Sequence, residues 1–355
     1  MYLPDPSNRI LLVKRDKIGD LLLTTSLLAH LHACRPDLEL HLLANDYNAW
    51  VAQGDPAIAR MWVYRRVREA GKLRVSAALA HWPLMRELRA QRYGWAVALN
   101  GEPSPRATRR ALAVRATRTV AYVGAGEPLS HQVTDARAPP AAGHELDRMA
   151  ALLRPLGIAT PASWPSTRHI VPRARRDDTL AWLEARKLVP QGYAVIAVGA
   201  RFTEKQPTAQ QVLRWSNILH ERWDLATVFV WTPGRRDDRR YPGDDEIARE
   251  VLGAGAVHVH PFQGSLESVA ALVHEARTTI APDSGVMHLA AAAPGGVLGL
   301  FAQSGGHDDP QRWHPVGARA RWIAAPSTVA RLPDAMVLSE LASLAAPLAE
   351  RQLQH

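Results

Sequence analysis

The chain of 355 residues is longer than a single hydrophobic core usually supports, so we expect two domains. Apolar residues make up 47% of it, and its single cysteine excludes an intrachain disulfide and a cysteine-ligated metal cluster. The sequence has no signal-peptide pattern and no uninterrupted apolar run of about 18 residues, so we expect a soluble, cytoplasmic protein.

Short apolar runs alternate with amphipathic segments through the first half of the chain. Residues 9–14 and 38–44 have the pattern of buried strands on either side of a helix at 20–35, and residues 95–100 and 118–123 repeat the strand pattern. Strands that alternate with helices predict βαβ units in a parallel sheet.

The net charge of +9 comes largely from one stretch, which has fourteen Lys and Arg residues but three acidic residues between Arg60 and Arg118. Such a surface attracts nucleic acid, an anionic membrane or a phosphorylated substrate. It is also consistent with a solvated arginine-rich face, and charge alone leaves both interpretations open.

The second half of the chain repeats the alternation of strands and helices. Strands are predicted at 193–199, 226–231, 256–260, 277–281 and 296–302, and helices at 210–223 and 339–354. We therefore expect two doubly wound α/β domains, 1–172 and 173–355, that join in the Pro- and Arg-rich stretch 162–178. The closing helix is a candidate for packing back on the N-terminal domain.

Ligands of open α/β sheets bind beyond the carboxyl ends of the strands, and the turn after the first strand carries polar residues there. Gly19 allows close backbone approach, and Asp20 opens the predicted helix. Asp20 can be a helix cap, or a carboxylate that accepts a proton from a substrate hydroxyl.

A second polar turn follows the predicted strand 277–281. Ser284 and Gly285 open a helix there, and the backbone N–H groups at a helix N-terminus attract a phosphate. Asp283 can accept a sugar hydroxyl, and His288, one turn later, can donate to a phosphate or sugar oxygen. A capped helix with a hydrogen-bonded histidine would have the same pattern.

A third segment follows strand 193–199, where Arg201 and Lys205 can neutralise a diphosphate or lie as solvated surface charges. The sequence lacks a G-x-G-x-x-G fingerprint after the first strand, a P-loop and a G-x-S-x-G elbow. We interpret the charged stretch 235–246 as a loop rather than as a divalent metal site.

Four segments together resemble glycosyltransferase family 9, the ADP-heptose:lipopolysaccharide heptosyltransferases. They are RILLVKRDKIGD and its continuation to residue 44, QRYGWAVALNG (91–101), VGARFTEKQPTAQQVLRWSNIL (198–219) and the closing block APDSGVMHLAAAA to RWHP (281–315). The form of the first turn, Arg-Asp-Lys-Ile-Gly-Asp, resembles the branch that includes the third core heptosyltransferase. The resemblance implies a GT-B fold, in which two Rossmann-like domains face each other across a cleft.

The resemblance also implies a reaction, an inverting transfer of heptose from ADP-heptose to the inner core of lipopolysaccharide, without a metal or other cofactor. It implies that Asp20 is the general base and that the donor is bound by Arg201, Lys205, Asp283, Ser284, Gly285 and His288. The basic stretch becomes a candidate docking face for phosphorylated core sugars and for the inner face of the cytoplasmic membrane. Weaker candidates for acceptor or phosphate binding are Lys17, Gly19, Arg106, Arg109 and Arg110.

Two segments depart from the family pattern. Pro294-Gly295-Gly296 stands where Leu-Gly-Thr-Pro is more common, so the local turn can differ. Residues 231–246 differ from the usual Gly-Gly-Pro-x-Asp/Glu segment, which leaves Asp244 and Asp245 as weak candidates for an acid that contacts the donor.

The sequence leaves some alternative functions open and disfavours others. A related transferase with another nucleotide sugar or acceptor, and a non-catalytic sugar-nucleotide binder, share most of these features. A binder has no need of a base such as Asp20. The missing glycine fingerprint disfavours a dehydrogenase, the missing cysteine motif disfavours protein-glycosylating relatives, and no motif indicates a nucleic-acid partner.

Overall fold

The computed structural model describes residues 8–69, 72–124, 126–238, 242–303 and 309–346. The chain divides into two compact units, Met1–Ile170 and Val171–His355, and each contains a six-stranded sheet whose strands are all parallel. The sequence-based boundary, after residue 172, lies just beyond this division. None of the described helices is long and apolar enough to cross a membrane.

The first unit contains eight described strands and four described helices. The strands are β1 (Arg9–Val13), β2 (Glu39–Asn45), β3 (Arg60–Tyr64), β4 (Arg68–Glu69), β5 (Lys72–Leu73), β6 (Trp95–Ala98), β7 (Arg118–Tyr122) and β8 (Asp135–Arg137). The helices are α1 (Ile18–Cys34), α2 (Val75–Ala90), α3 (Pro105–Ala113) and α4 (Glu145–Ala151). The sheet order is β3-β2-β1-β6-β7-β8, and β4 and β5 form a separate antiparallel pair.

The second unit repeats this architecture. Its strands are β9 (Tyr193–Ala197), β10 (Ala226–Val230), β11 (Val259–Phe262), β12 (Thr278–Pro282), β13 (Val297–Ala302) and β14 (Ala320–Ala325), in the order β11-β10-β9-β12-β13-β14. Its helices are α5 (Arg173–Glu184), α6 (Ala209–Trp223), α7 (Asp245–Gly253), α8 (Leu266–Glu275), α9 (Gly285–Ala291), α10 (Pro310–Trp313) and α11 (Asp334–Ala345).

The central strands of each sheet are covered on both faces, which explains why they are continuous apolar runs rather than alternating ones. In β1, Ile10 to Val13 are fully buried, and all five residues of β9 are buried. The prediction of two doubly wound α/β domains is therefore confirmed at the level of each sheet.

Two predicted elements are displaced along the chain. The strand expected at 256–260 is β11 (Val259–Phe262), which includes Pro261. Proline is tolerated because β11 is an edge strand, where one side of the backbone needs no partner. The closing helix begins at Asp334 and packs on α6, β13 and β14, and residues 347–354 of the predicted helix lie outside the described range.

Each sheet reverses its order at one place. From β1 the chain moves outward to β2 and β3 and then returns to β6 on the other side, and β9 and β12 stand in the same relation in the second unit. Ligands of doubly wound sheets bind beyond the strand ends at such reversal points. The loops after β1 and β6, and after β9 and β12, are therefore where a site is expected.

Candidate active site

The loop after β1 leads directly into α1. Lys17 is the N-cap of this helix and Asp20 is its third residue, so the helix begins two residues before the predicted Asp20 opening. The Asp20 carboxylate accepts a hydrogen bond from the Lys17 backbone N–H at 3.2 Å. Asp20 thus satisfies a free N–H of the first turn from within the helix, rather than as the N-cap.

Asp20 lies in a group of ionisable side chains at the ends of β1 and β6. The Nζ of Lys14, which is fully buried, lies 3.1 Å from Oδ2 of Asp16, and Asn100 donates a hydrogen bond to the same carboxylate. Burial lowers the pKa of Lys14, but the attraction of Asp16, Asp20 and Glu145 outweighs it, so the pKa is raised.

Burial raises the pKa of Asp20 from 3.8 to about 6, and repulsion from Asp16 and Glu145 adds to the shift, while Lys14 opposes it. A carboxyl group with this pKa is mostly ionised at neutral pH and still takes up a proton readily. These are the properties that a general base requires.

Glu145 is held against the end of β6 by a close backbone approach. Its Oε1 accepts a hydrogen bond of 2.9 Å from the Gly101 backbone N–H, and Arg148 donates to the Gly101 carbonyl at 2.8 Å. A Cβ atom at Gly101 would collide with the Glu145 carboxylate. An alanine at this position would therefore force the Glu145 carboxylate to move.

Four residues of this cluster were not predicted as site residues: Lys14, Asp16, Asn100 and Glu145. The first three follow β1 and β6, the two strands on either side of the reversal point, so knowledge of the strand order would have indicated them. Glu145 comes from α4, and no local pattern links it to the other three.

The predicted arginines of α3 line one cavity of about 330 Å³. Its lining consists of Arg15, His81, Met85, Arg106, Arg109, Arg110 and Ala113. The Arg110 guanidinium carbon lies 3.8 Å from the centroid of the Tyr64 ring, and burial lowers the pKa of Arg110. The structure therefore brings Arg106, Arg109 and Arg110 together with Arg15, the second residue after β1.

The other two weak candidates lie at the start of α1. Lys17 is exposed as its N-cap, and Gly19 is buried in its first turn.

In the second unit, two predicted residues meet across the reversal point. Lys205 ends a 3₁₀ turn (Thr203–Lys205) after β9, and its Nζ lies 2.7 Å from Oδ2 of Asp283, which follows β12. Both side chains are largely buried. The fold thus places a cation–carboxylate pair where the sequence predicted two separate donor contacts.

The loop that carries Lys205 is fixed by side chains that were not predicted. Arg236 donates to the carbonyls of Ala200 and Arg201 at 2.9 and 3.0 Å, and Gln206 donates to the carbonyl of Val198 at 3.0 Å. The side chain of Arg201 itself is exposed. The Arg236 contacts lie in a stretch that the sequence showed only as a charged loop, of which residues 239–241 lie outside the described range.

Asp244 and Asp245 both serve the fold of that loop. The Asp244 carboxylate is buried and accepts hydrogen bonds from Gln206 and from the backbone N–H of Thr232, and burial raises its pKa. Asp245 accepts from Trp231 Nε1 and from the Gly234 backbone N–H. Both carboxylates therefore hold this loop in place, and a contact of either one with the donor stays a prediction.

The turn after β12 leads into α9, with Ser284 as its N-cap. The buried Oγ of Ser284 has no hydrogen-bond partner among the described residues, and the first backbone N–H groups of a helix have none within the helix. His288 is buried rather than open to solvent, and its Nδ1 also lacks a partner in the described part of the chain. Burial lowers the pKa of His288 to about 4, so the ring is neutral at physiological pH.

The glycines that depart from the family pattern make a tight turn between α9 and β13. Gly296 has a φ of +74°, and a Cβ there would contact the carbonyl of Arg319. Residues 304–308 of the closing block lie outside the described range. Within the described residues, no three His, Cys, Asp or Glu side chains are grouped so that they could hold a metal ion.

Comparison with known proteins gives a consistent family and fold. The sequence model of Glycosyltransferase family 9 (heptosyltransferase) matches residues 81–333. The structure of a glycosyl transferase family 9 protein from Veillonella parvula DSM 2008 is 18% identical, covers 97% of this chain and 98% of its own, and has a TM-score of 0.76. No curated protein matches the chain.

Two heptosyltransferase structures from E. coli are also similar. ADP-heptose lps heptosyltransferase II is 19% identical with a TM-score of 0.68, over 95% of this chain and 98% of its own. Heptosyltransferase WaaC, solved with ADP, is 19% identical with a TM-score of 0.69, over 95% of this chain and 99% of its own. At this identity the likeness shows the fold, and it confirms the predicted GT-B class.

Proposed function

Because the chain belongs to glycosyltransferase family 9, and is thus a glycosyltransferase, we propose that it transfers heptose from ADP-heptose to the inner core of lipopolysaccharide. The observation that carries this proposal is Asp20, a carboxyl group with a pKa of about 6 at the reversal point of the first sheet. An inverting transfer needs one base on the acceptor side and a stabilised leaving group on the donor side.

Asp20 removes the proton of the acceptor hydroxyl as that oxygen attacks the anomeric carbon. The new C–O bond forms on the face opposite ADP, the bond between the anomeric carbon and the diphosphate oxygen breaks, and the proton goes to the Asp20 carboxylate. Lys14 and Asp16 have opposite effects on the pKa of Asp20: the Lys14 ammonium lowers it, and the Asp16 carboxylate raises it.

The donor side is assigned to the loops after β9 and β12. The Lys205 ammonium, 2.7 Å from the Asp283 carboxylate, brings a positive charge to the site that attracts a diphosphate oxygen. The Ser284 hydroxyl and the first N–H groups of α9 add donors, and Arg201 adds an exposed cation. These groups stabilise the negative charge that grows on ADP as the glycosidic bond breaks.

The acceptor is assigned to the cavity between α2 and α3. Arg15, Arg106, Arg109 and Arg110 line it, and the Nε of Arg15 is buried without a hydrogen-bond partner in the described part of the chain. Clustered guanidinium groups suit the phosphates and carboxylates of core sugars. Lys17 and Gly19, at the end of the loop between β1 and α1, stay candidates for acceptor or phosphate binding. We place the reaction in the cytoplasm.

The test is transfer from ADP-heptose to truncated lipopolysaccharide cores by the native protein and by Asp20→Asn. We expect transfer by the native protein and a fall of at least about a hundredfold in the variant, with ADP affinity retained. Transfer that survives the substitution would remove Asp20 as the base. Tight ADP binding without transfer to any core would point to another sugar or acceptor, and no ADP binding would refute the donor assignment.

A further inference from the structure

Helix α2 exposes a row of large apolar side chains. Val75, Leu79 and Trp82 are 61%, 72% and 72% exposed, which is unusual for residues of this size. They are spaced at i, i+4 and i+7, so they lie on one face of the helix.

The opposite face of α2 is fixed to the core of the first unit. Ala77 and Leu88 are fully buried, and Leu84 packs against the same core cluster. The helix therefore already has a buried side, and the apolar row is a second face that the described residues leave exposed.

The apolar row continues into arginines. Arg86 follows at i+11 on the same face, with its guanidinium carbon 5.7 Å from the centroid of the Trp82 ring, and Arg89 follows one turn later. Glu87 is the helix's single acidic residue. Trp82, Arg86 and Arg89 also line, with His81 and Met85, a cavity of about 410 Å³.

We propose that this face of α2, formed by Val75, Leu79, Trp82, Arg86 and Arg89, docks on a bilayer that contains anionic phospholipid. Apolar side chains with a tryptophan enter the interfacial layer, and arginines beside them pair with lipid phosphates. A second copy of the chain suits the face less well, because two strongly basic surfaces would meet and repel. The proposal does not depend on which sugar is transferred.

Vesicle flotation tests the surface with the full-length protein. The comparison uses vesicles of phosphatidylcholine alone and vesicles that also contain phosphatidylglycerol, at low and high salt. We expect binding to the anionic vesicles that weakens as salt is raised, because exposed charges are screened. Equal binding to both compositions, or binding to neither, would overturn the proposal.

Substitutions locate the contact. Leu79→Ser is expected to weaken binding to the anionic vesicles about tenfold, and Arg86→Gln about fivefold. The matched controls are Val257→Ser, at a valine that is 90% exposed, and Arg173→Gln, at an arginine whose side chain is 94% exposed. Both controls lie in the second unit and should bind as the native protein does. Equal losses in variants and controls would refute the assignment to α2.

Tryptophan quenching by brominated phospholipid separates insertion into the bilayer from self-association. Brominated phospholipid should quench a smaller fraction of the tryptophan fluorescence in Trp82→Phe than in the native protein. The chain has 11 tryptophans, and this difference isolates the contribution of Trp82. If Trp82 contributes no quenching, and sedimentation shows a dimer that Leu79→Ser dissociates, the face pairs two copies and the proposal is wrong.

Discussion

Burial among ionisable neighbours raises the pKa of Asp20 to about 6, and this one value determines when the proposed base works. The base must be ionised to accept a proton. It is therefore active above its folded pKa and inactive below it.

The pH dependence of the rate follows from the requirement that Asp20 be ionised. We expect kcat/KM to be constant above pH of about 6 and to fall about tenfold for each unit below it. The measurement is a pH profile of transfer, with the folded state checked by circular dichroism at each pH. A rate that stays constant well below this value would show that another group takes the proton.

The same raised pKa has a cost in stability. The unfolded carboxyl ionises near 3.8 and the folded one near 6, so the folded state loses relative stability as the pH rises between these values. Asp20→Asn should therefore raise the free energy of unfolding at pH of about 8, on the order of 1–3 kcal/mol, with little effect at pH of about 4. Chemical denaturation at both values measures this.

A matched control for that measurement is Asp177→Asn, at an exposed aspartate of α5. It should change stability little at either pH. If Asp20→Asn were neutral or destabilising at the higher pH, burial would not be the cause of the raised pKa.

The Lys205–Asp283 pair can serve the fold, the donor or both, and a double-mutant cycle separates these roles. Lys205→Met leaves the largely buried Asp283 carboxylate unpaired and should cost about 3 kcal/mol. Lys205→Met combined with Asp283→Asn should recover most of that stability, but not the affinity for ADP. Thermal unfolding measures the stability of each variant, and calorimetric titration measures its affinity for ADP. Full ADP affinity in the double variant would make Lys205 purely structural.

Among the elements, the buried parallel strands were the most predictable, because strands such as β1 and β9 are covered on both faces and show as continuous apolar runs. The sequence also placed Asp20, Lys205 and Asp283 after such strands. It did not show that Lys205 and Asp283 pair, because that contact depends on β9 and β12 being neighbours in the sheet.

Contacts from distant elements were not predictable. Glu145 reaches the end of β6 from α4, and Arg236 fixes the loop after β9 from a loop that follows β10. The start of α11 is similar, since the Asp334 carboxylate accepts hydrogen bonds from Arg214 and Trp215 of α6. Each of these contacts joins segments far apart in the chain, and local patterns carry no information about them.

The turn between β6 and α3 gives a prediction at this scale. Gly101→Ala would push a Cβ into the Glu145 carboxylate and should cost about 1–3 kcal/mol. It should also reduce transfer, because Glu145 contributes to the pKa of Asp20. The control is Gly253→Ala, where a Cβ meets nothing within 4 Å. Equal stability and activity in both variants would show that Glu145 can move without effect.

At the scale of the whole molecule, the two units have the same sheet order and each has its own core. Buried residues around Trp215 and Phe229 form one core cluster, and residues around Leu11 and Leu88 form another. The periodicity of the sequence predicted this duplication. Which unit takes which substrate came from the family resemblance and from the site residues, and it stays a prediction.

Separating the units tests that division. Residues 171–355, expressed alone, should fold on their own core and bind ADP within about tenfold of the affinity of the full chain, because all proposed donor contacts lie in this unit. Lys205→Met in this fragment should abolish most of that binding. Residues 1–170 alone should fold without binding ADP. A folded second unit that fails to bind ADP, while the full chain binds it, would mean that residues of the first unit contact the donor.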